Sequence, residues 1–484
     1  MRPVPVTIAA ALLVAASATS ALGVVSQGVF RIGADSLWAR GIDGAGQTVA
    51  VLDQGFDGLD QSIAAGELPP LDQMTVKSFD AVNGITGRDQ LEAATQHGVR
   101  MAEIIRDVAP GVHLVLVNYH SDDEFIAATR WIADQGIPIV SHSNSILGGP
   151  FDGTGPLARA VDDAAARGVL WINSSGNFAK RHWRGTADAN GVPIPLSPQP
   201  DETLAFGIGW SGAGVNAVVS VERQQDDGSW VEMARSDATH RTVPITVDGG
   251  TWRAVVRQLA GAPVPLDVFS RTVSLGSAAV ADGNIATPGD AAGSLTVGAA
   301  TWGDLKVADY SSRGPTEDGR QKPEIVGPTY VTSNPAFPGT GGTSASTPHV
   351  AGAAALVRQQ LMATGQPADA AALRAYLVAH ARDIEAKGVD AASGAGMVRV
   401  DFAPPLVRLG VTAGPRPVIR VQALDDGTMN SVTVTLDGRQ VTRALGPFAR
   451  YRSGLLKKGR HRIVVTAEDS SGNVVTSARA VMVR

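Results

Sequence analysis

The stretch "GTGGTSASTPHVAGAAALV", residues 339–357, changes character halfway along. Gly339, Gly341 and Gly342 suit a tight or closely approached loop. Val350, Ala353, Ala354 and Val357 then recur at three- and four-residue steps, the spacing of one buried helix face. Ser344 falls where loop becomes helix, among unpaired N–H groups at the positive end of the helix dipole. Taken alone, this serine reads equally well as an N-cap. The rest of the chain has to decide.

Working outward, "TVAVLD" (48–53), "VHLVLVN" (112–118), "IPIVSHS" (137–143) and "GVLWINSSGN" (168–177) read as strands. "DEFIAATRWIADQG" (123–136) and "GPLARAVDDAAARG" (155–168) read as helices between them. Such alternation predicts an α/β fold with a parallel sheet covered by helices on both faces. Over 182–285 the helical runs vanish, and "AVVSVERQQDDGSWVEMAR" and "GTWRAVVRQL" alternate as antiparallel strands do. The α/β texture returns over 286–404, and 405–484 reads as a small β-sandwich. The expected order is therefore an α/β domain in two parts, 22–181 and 286–404, interrupted by a β-rich insert at 182–285 and followed by the sandwich.

Composition narrows the class. The chain has 484 residues, 44% hydrophobic and 18% charged, enough for several packed cores. A net charge of −5 without a Lys/Arg block argues against nucleic acid as a partner. Cysteine is absent, which excludes disulfides, thiolate chemistry and Cys-based metal sites. Residues 1–21 carry a short positive start, an apolar run from Val6 to Ala16 and small residues permitting cleavage after Ala18 or Ala21. That is a secretory signal pattern, too short to span a membrane. Nothing later reaches the length of a span.

In open parallel sheets, ligands sit outside the carboxyl ends of the strands. Asp53 ends one strand run, Asn177 follows another, and His97 opens the helical stretch "HGVRMAEIIRDVAPG". Singly, the Asp reads as a turn former, the His as a cap or packed residue, and the Asn as an Asx-turn. Together, Asp, His and Ser at strand ends and helix starts of one α/β unit form an acyl-transfer constellation. Serine is a weak nucleophile until an imidazole takes its proton, and the imidazole needs a buried carboxylate to fix its tautomer. The developing oxyanion needs donors already aimed at it, which the Ser344 N–H and the Asn177 amide would supply.

"VAVLDQGFD", "HGVRMAEII…VAPG", "NSSGN", "YSSRGPTEDGRQKPEIVGP" and "GTSASTPHVAGAAALV" resemble, in order, the successive motifs of the subtilases, the subtilisin-like serine proteases. The resemblance implies a subtilisin-like three-layer fold and a secreted serine endopeptidase acting on proteins or peptides. It makes Asp53 the orienting carboxylate, His97 the general base, Ser344 the nucleophile and Asn177 the oxyanion donor. Ser143, Asn144, Ser145 and Gly176 fall where the family binds substrate. Either Ser143 or Ser145 can take the family's serine position there, and Ser143 keeps the strand continuous. Gln54, the motif "HGVRMAE" and Gly327 depart from the usual pattern. The stretch between signal and core is too short for the inhibitory prodomain most subtilases carry.

No cofactor is required by this chemistry. Structural Ca²⁺ is the one cation considered, at "DDGS" (226–229) or "AEDSSGN" (467–473), where turn chemistry is the better reading. No remaining histidine has a partner at metal-ligand spacing. The final sandwich resembles bacterial Ig-like modules, which serve as spacers or as docking units, and here would hold the enzyme to a surface or substrate. The insert leaves the core just after Asn177 and is expected to restrict bulky substrates more than it alters the chemical step. A catalytically silent subtilase-derived binding or adhesion protein is the competing class, and labelling of the serine by an organophosphate separates the two.

Overall fold

Residue alternation along the strands builds the layers. In the strand Thr48–Asp53, Val49 and Val51 join one apolar core while Ala50 and Leu52 join another, because successive side chains leave opposite faces of a sheet. Leu114 and Leu116 against Val115 and Val117 repeat the division in His113–Asn118. A sheet apolar on both faces must be covered twice. The computed structural model shows this arrangement; it describes residues 24–80, 95–237, 240–242 and 244–484. The segment read as a signal, 1–21, lies outside the described residues.

Seven parallel strands form the central sheet: β1 (Thr48–Asp53), β2 (Thr75–Ser78), β3 (His113–Asn118), β4 (Ile139–His142), β5 (Leu170–Ser174), β6 (Ser294–Thr301) and β7 (Ile325–Thr329). Their spatial order is 7-6-5-4-1-3-2, so the direction of winding reverses beside β1. One face carries α1 (Gln27–Ile32), α2 (Ala34–Ala39), α4 (His97–Val108), α7 (Thr343–Ala363) and α8 (Ala370–Ala379). The other carries α5 (Asp122–Asp134) and α6 (Pro156–Ala166). The remaining helix, α3 (Leu59–Ala65), follows β1.

Two features were not legible in the pattern. The first is α7, buried on nearly every side from Thr343 to Val357 rather than along one stripe. The run of Ala and Gly makes this feasible: a Cβ at Gly352 would lie only 2.6 Å from Cβ of Val108 in α4. The second is the pair α1 and α2, which places Val29, Ile32, Ala34 and Leu37 in the same core. Ser26 caps α1 and bonds Nε2 of His349 in α7 at 2.8 Å.

The insert forms sheets of four, three and two antiparallel strands around one apolar core, from His182–Gly185 to Leu266–Ser270. At the C-terminus, sheets of three and four antiparallel strands enclose another core built on Ile419, Val432, Val434, Ile463 and Val465. That unit is held to the α/β core where Thr428 donates N–H and hydroxyl bonds to Asp35, at 2.8 and 2.7 Å. Among the described residues no helix is long and apolar enough to cross a membrane.

Candidate active site

The carboxyl ends of β1, β4 and β5 converge with the first turns of α4 and α7. Asp53 is the last residue of β1 and fully buried. A buried carboxylate needs every acceptor satisfied. Oδ1 takes the Gln54 N–H at 2.8 Å, and Oδ2 takes Nδ1–H of His97 at 2.7 Å. His97 is the first residue of α4. Its closeness to Asp53 rests on the next residue: a Cβ at Gly98 would lie 2.6 Å from the Gly55 carbonyl oxygen and 2.7 Å from the Phe56 ring. Burial pulls the His97 pKa down, but the charge and hydrogen bond of Asp53 outweigh it and leave the value above 6.5.

Ser344 is the second residue of α7, after Gly342 at φ 92°, a backbone state that favours glycine. The Ser344 hydroxyl donates to the Ser143 carbonyl at 3.0 Å, and the Ser143 hydroxyl donates to the Ser344 carbonyl at 3.1 Å. Among the described hydrogen bonds none joins Ser344 to His97. Rotation about one side-chain torsion redirects the hydroxyl, and catalytic bonds are commonly loose before substrate arrives. Ser143 follows β4 directly and is bonded to Ser344, whereas Ser145 lies farther along and lines a groove.

Asn177 is held by its oxygen, which accepts the Thr343 N–H at 2.9 Å and the Thr343 hydroxyl at 3.2 Å. Its amide nitrogen is thereby turned away from Thr343. A Cβ at Gly342 would lie 3.3 Å from Nδ2 of Asn177 and 3.6 Å from the Ser344 nitrogen, so both donors border one small space beside Ser344. Gly176, at φ 106°, donates its N–H to the Thr343 hydroxyl at 3.3 Å. Asn144 has its amide nitrogen buried without a hydrogen-bond partner.

The nearby histidines are structural. His142 sits between the Tyr119 hydroxyl (2.8 Å) and Oδ1 of Asn173 (2.6 Å), and burial pushes its pKa down to about 4. His349 donates Nδ1–H to the Ala345 carbonyl at 2.7 Å, and burial likewise brings it to about 4. Of the clusters considered for Ca²⁺, Asp227 accepts from Ser229 and Asp469 from the backbone and amide of Asn473, while Asp469 also stands with Asp401 and Asp425, their carboxylate oxygens within 4.8 Å of one another.

The sequence placed the insert's departure beside Asn177 but missed the residues through which it bears on the site. Phe178, next to Asn177, packs edge-on against Phe269 of the insert at 5.2 Å. Arg241 of the insert donates Nε–H to the Leu147 carbonyl and a terminal N–H to Asp122, each at 2.5 Å. The insert therefore props the Asn177 loop and grips the segment after β4. Its long charged and aromatic side chains carry no spacing that reveals a partner in another domain.

A parallel sheet with a buried Asp–His pair at its switch point and a serine opening the central helix defines the subtilisin-like fold. The subtilase family model matches residues 44–229 and 246–396, and the chain belongs to that family. It is 27% identical over 391 residues to the minor extracellular protease Vpr of Bacillus subtilis (strain 168), covering 68% of this chain and 47% of that protein. It is 30% identical over 192 residues to the major intracellular serine protease of the same organism, covering 37% of this chain and 56% of that protein. The chain thus spans about half the length of these curated relatives. The solved structure of the Clostridium perfringens CspB protease shares the fold, with a TM-score of 0.53 at 16% identity over 77% of this chain and 96% of that one.

Proposed function

We propose that the protein is a serine endopeptidase that forms an acyl-enzyme on Ser344. The observation that carries this reading is the Asp53–His97 bond, buried at its carboxylate end. Asp53 keeps the proton on Nδ1, which leaves Nε2 of His97 as the base. Ser344 turns from the Ser143 carbonyl to Nε2, gives up its proton and attacks the peptide carbonyl. The oxyanion takes hydrogen bonds from Nδ2 of Asn177 and the Ser344 N–H. The imidazolium then protonates the leaving amine, and water repeats the sequence to release the acid.

An extended peptide is read by backbone along Ser143, Asn144 and Ser145, with Gly176 shaping the opposite wall. Among the described hydrogen bonds none involves the Ser145 backbone, which supports such pairing. The chemistry runs on these side chains without a cofactor. Export is part of the proposal, supported by the signal pattern of residues 1–21 and by the extracellular relative. The Ig-like reading of 405–484, with docking to a surface or substrate, rests on the strand pattern and its two packed sheets.

The Ser344–Ser143 bond favours one competing reading, a silent site retained for binding. A fluorophosphonate probe followed by peptide mapping decides between them. Covalent label on Ser344 alone, absent from Ser344→Ala, is expected. An unlabelled, folded wild-type protein would remove the enzymatic reading.

A further inference from the structure

A groove of about 220 Å³ opens beside the candidate active site, with one wall from the α/β core and the other from the insert. Gln54, Ser145 and Leu147 line the core wall; Arg241, Thr242 and Arg271 line the insert wall. The groove adjoins the Asp53–His97 pair through Gln54, which lines it and whose N–H is bonded to Asp53. It continues along Ser145, two residues beyond the carbonyl that holds the Ser344 hydroxyl. A peptide lying along 143–145 with its scissile bond at Ser344 places a side chain in this groove a few residues away.

The insert wall is fixed in place. Its strand Phe206–Gly209 lies against the loop after β4: a Cβ at Gly209 would be 1.9 Å from the Gly149 carbonyl oxygen, and one at Gly207 would be 2.6 Å from Cβ of Leu147. At Gly207 and Gly209 the absence of a side chain lets the insert's backbone approach Leu147, Gly148 and Gly149. Arg271 extends the strand paired with Phe206–Gly209, and its N–H donates to the Ala205 carbonyl at 2.9 Å. Its backbone is thereby tied to the sheet beside it.

The charges divide unequally. Arg241 is committed to Asp122 and the Leu147 carbonyl. Of the two arginines lining the groove, Arg271 is the one with no ion-pair partner among the described residues, and it is exposed. A guanidinium presents a planar fork that matches a carboxylate with two parallel hydrogen bonds. We propose that this groove is a substrate subsite selective for an acidic side chain, Asp or Glu, bound by Arg271. The proposal rests on the endopeptidase reading above and adds to it a substrate class set by the insert.

Positional-scanning peptide libraries on the full chain test it. Wild type is expected to favour Asp or Glu at one position near the scissile bond by roughly ten- to a hundredfold in kcat/KM over Lys or Arg, the range of a charge-assisted pair. Arg271→Glu is expected to invert that preference toward Lys and Arg. Arg223→Ala, which removes an insert arginine paired to Asp248 instead, should leave it in place. A wild-type profile without an acidic preference, or an acidic preference that survives in Arg271→Glu, overturns the proposal. Failure of the endopeptidase reading is seen separately, as absence of both peptide cleavage and probe labelling.

Discussion

At the scale of single residues, the site turns on one competition. Burial alone would make His97 a weak base, and Asp53 reverses the direction of the shift. Because His97 must be neutral to accept the serine proton, kcat/KM is expected to rise with pH through a limb lying above 6.5. In Asp53→Asn the burial effect is left unopposed, so the limb should move to lower pH. At the same time kcat should fall on the order of 10⁴, the size known from other Asp-His-Ser triads, because the tautomer is no longer fixed. A pH–rate profile of the two proteins checks both effects. A limb that stays put in the variant would show that Asp53 does not control the base. These residue types were legible in the sequence because the chemistry admits few substitutes. The orientation of Ser344 toward the Ser143 carbonyl was not, since a rotamer depends on its surroundings.

At the scale of elements, α1 is attached to the core through groups that no periodicity announces. The Ser26 N–H donates to Oδ2 of Asp107 at 2.9 Å, near the end of α4. Burial, together with the charges of Glu67 and Glu103, raises Asp107 from 3.8 to about 8. The folded value lies above the unfolded one, so the native state holds the proton more tightly between these limits. Stability from this group is complete below about pH 4 and is lost as pH rises toward 8. Asp107→Asn keeps an acceptor for Ser26 and removes the titration. Its stability advantage should grow from pH 4 to pH 8 and level off beyond, reaching a few kcal/mol at neutral pH, on the order the linkage predicts. Urea unfolding across that range, in a Ser344→Ala background to prevent self-digestion, measures the difference; an offset independent of pH contradicts the account. Four of the seven parallel strands, β1, β3, β4 and β5, and α4 to α7 were readable from alternation and helical spacing. For α7 the spacing indicated one buried stripe, while the sheet on one side and α4 on the other bury nearly all of it.

At the scale of the whole molecule, units read as separate in sequence share surfaces. The core meets the C-terminal sheets where Asp401, Asp425 and Asp469 bring carboxylate oxygens within 4.8 Å of one another. Arg40 lies 3.5 Å from Asp401 and 3.4 Å from Asp426 and offsets part of this charge. Burial, with the charges of Asp469, Asp401 and Asp426, raises Asp425 from 3.8 to about 6. The sign is that of Asp107: the junction is strongest below about pH 4 and loosens as pH climbs through 6. Asp425→Asn should therefore hold the C-terminal unit more firmly at pH 7.5, by about 1 kcal/mol once solvent screening is allowed for, and make no difference at pH 4. Limited proteolysis of the Ser344→Ala protein at the two pH values, scored by release of the C-terminal fragment, reads this directly. Equal release from both proteins at pH 7.5 would mean that the Asp425 charge does not strain the junction.

By itself the sequence determined the α/β architecture, the succession of β-rich segments and the candidate triad. Hydrophobic period reports the local backbone, and nucleophilic chemistry demands particular side chains at strand ends and helix starts. Tertiary structure alone decided that Phe269 braces the loop of Asn177, that Arg241 grips the segment after β4, and that Arg271 faces the groove beside Gln54. It also decided that His349 ties α7 to Ser26, 323 positions away along the chain. Such contacts join residues remote in sequence whose side chains must reach a partner on another element, and neither spacing nor composition records where that partner will lie.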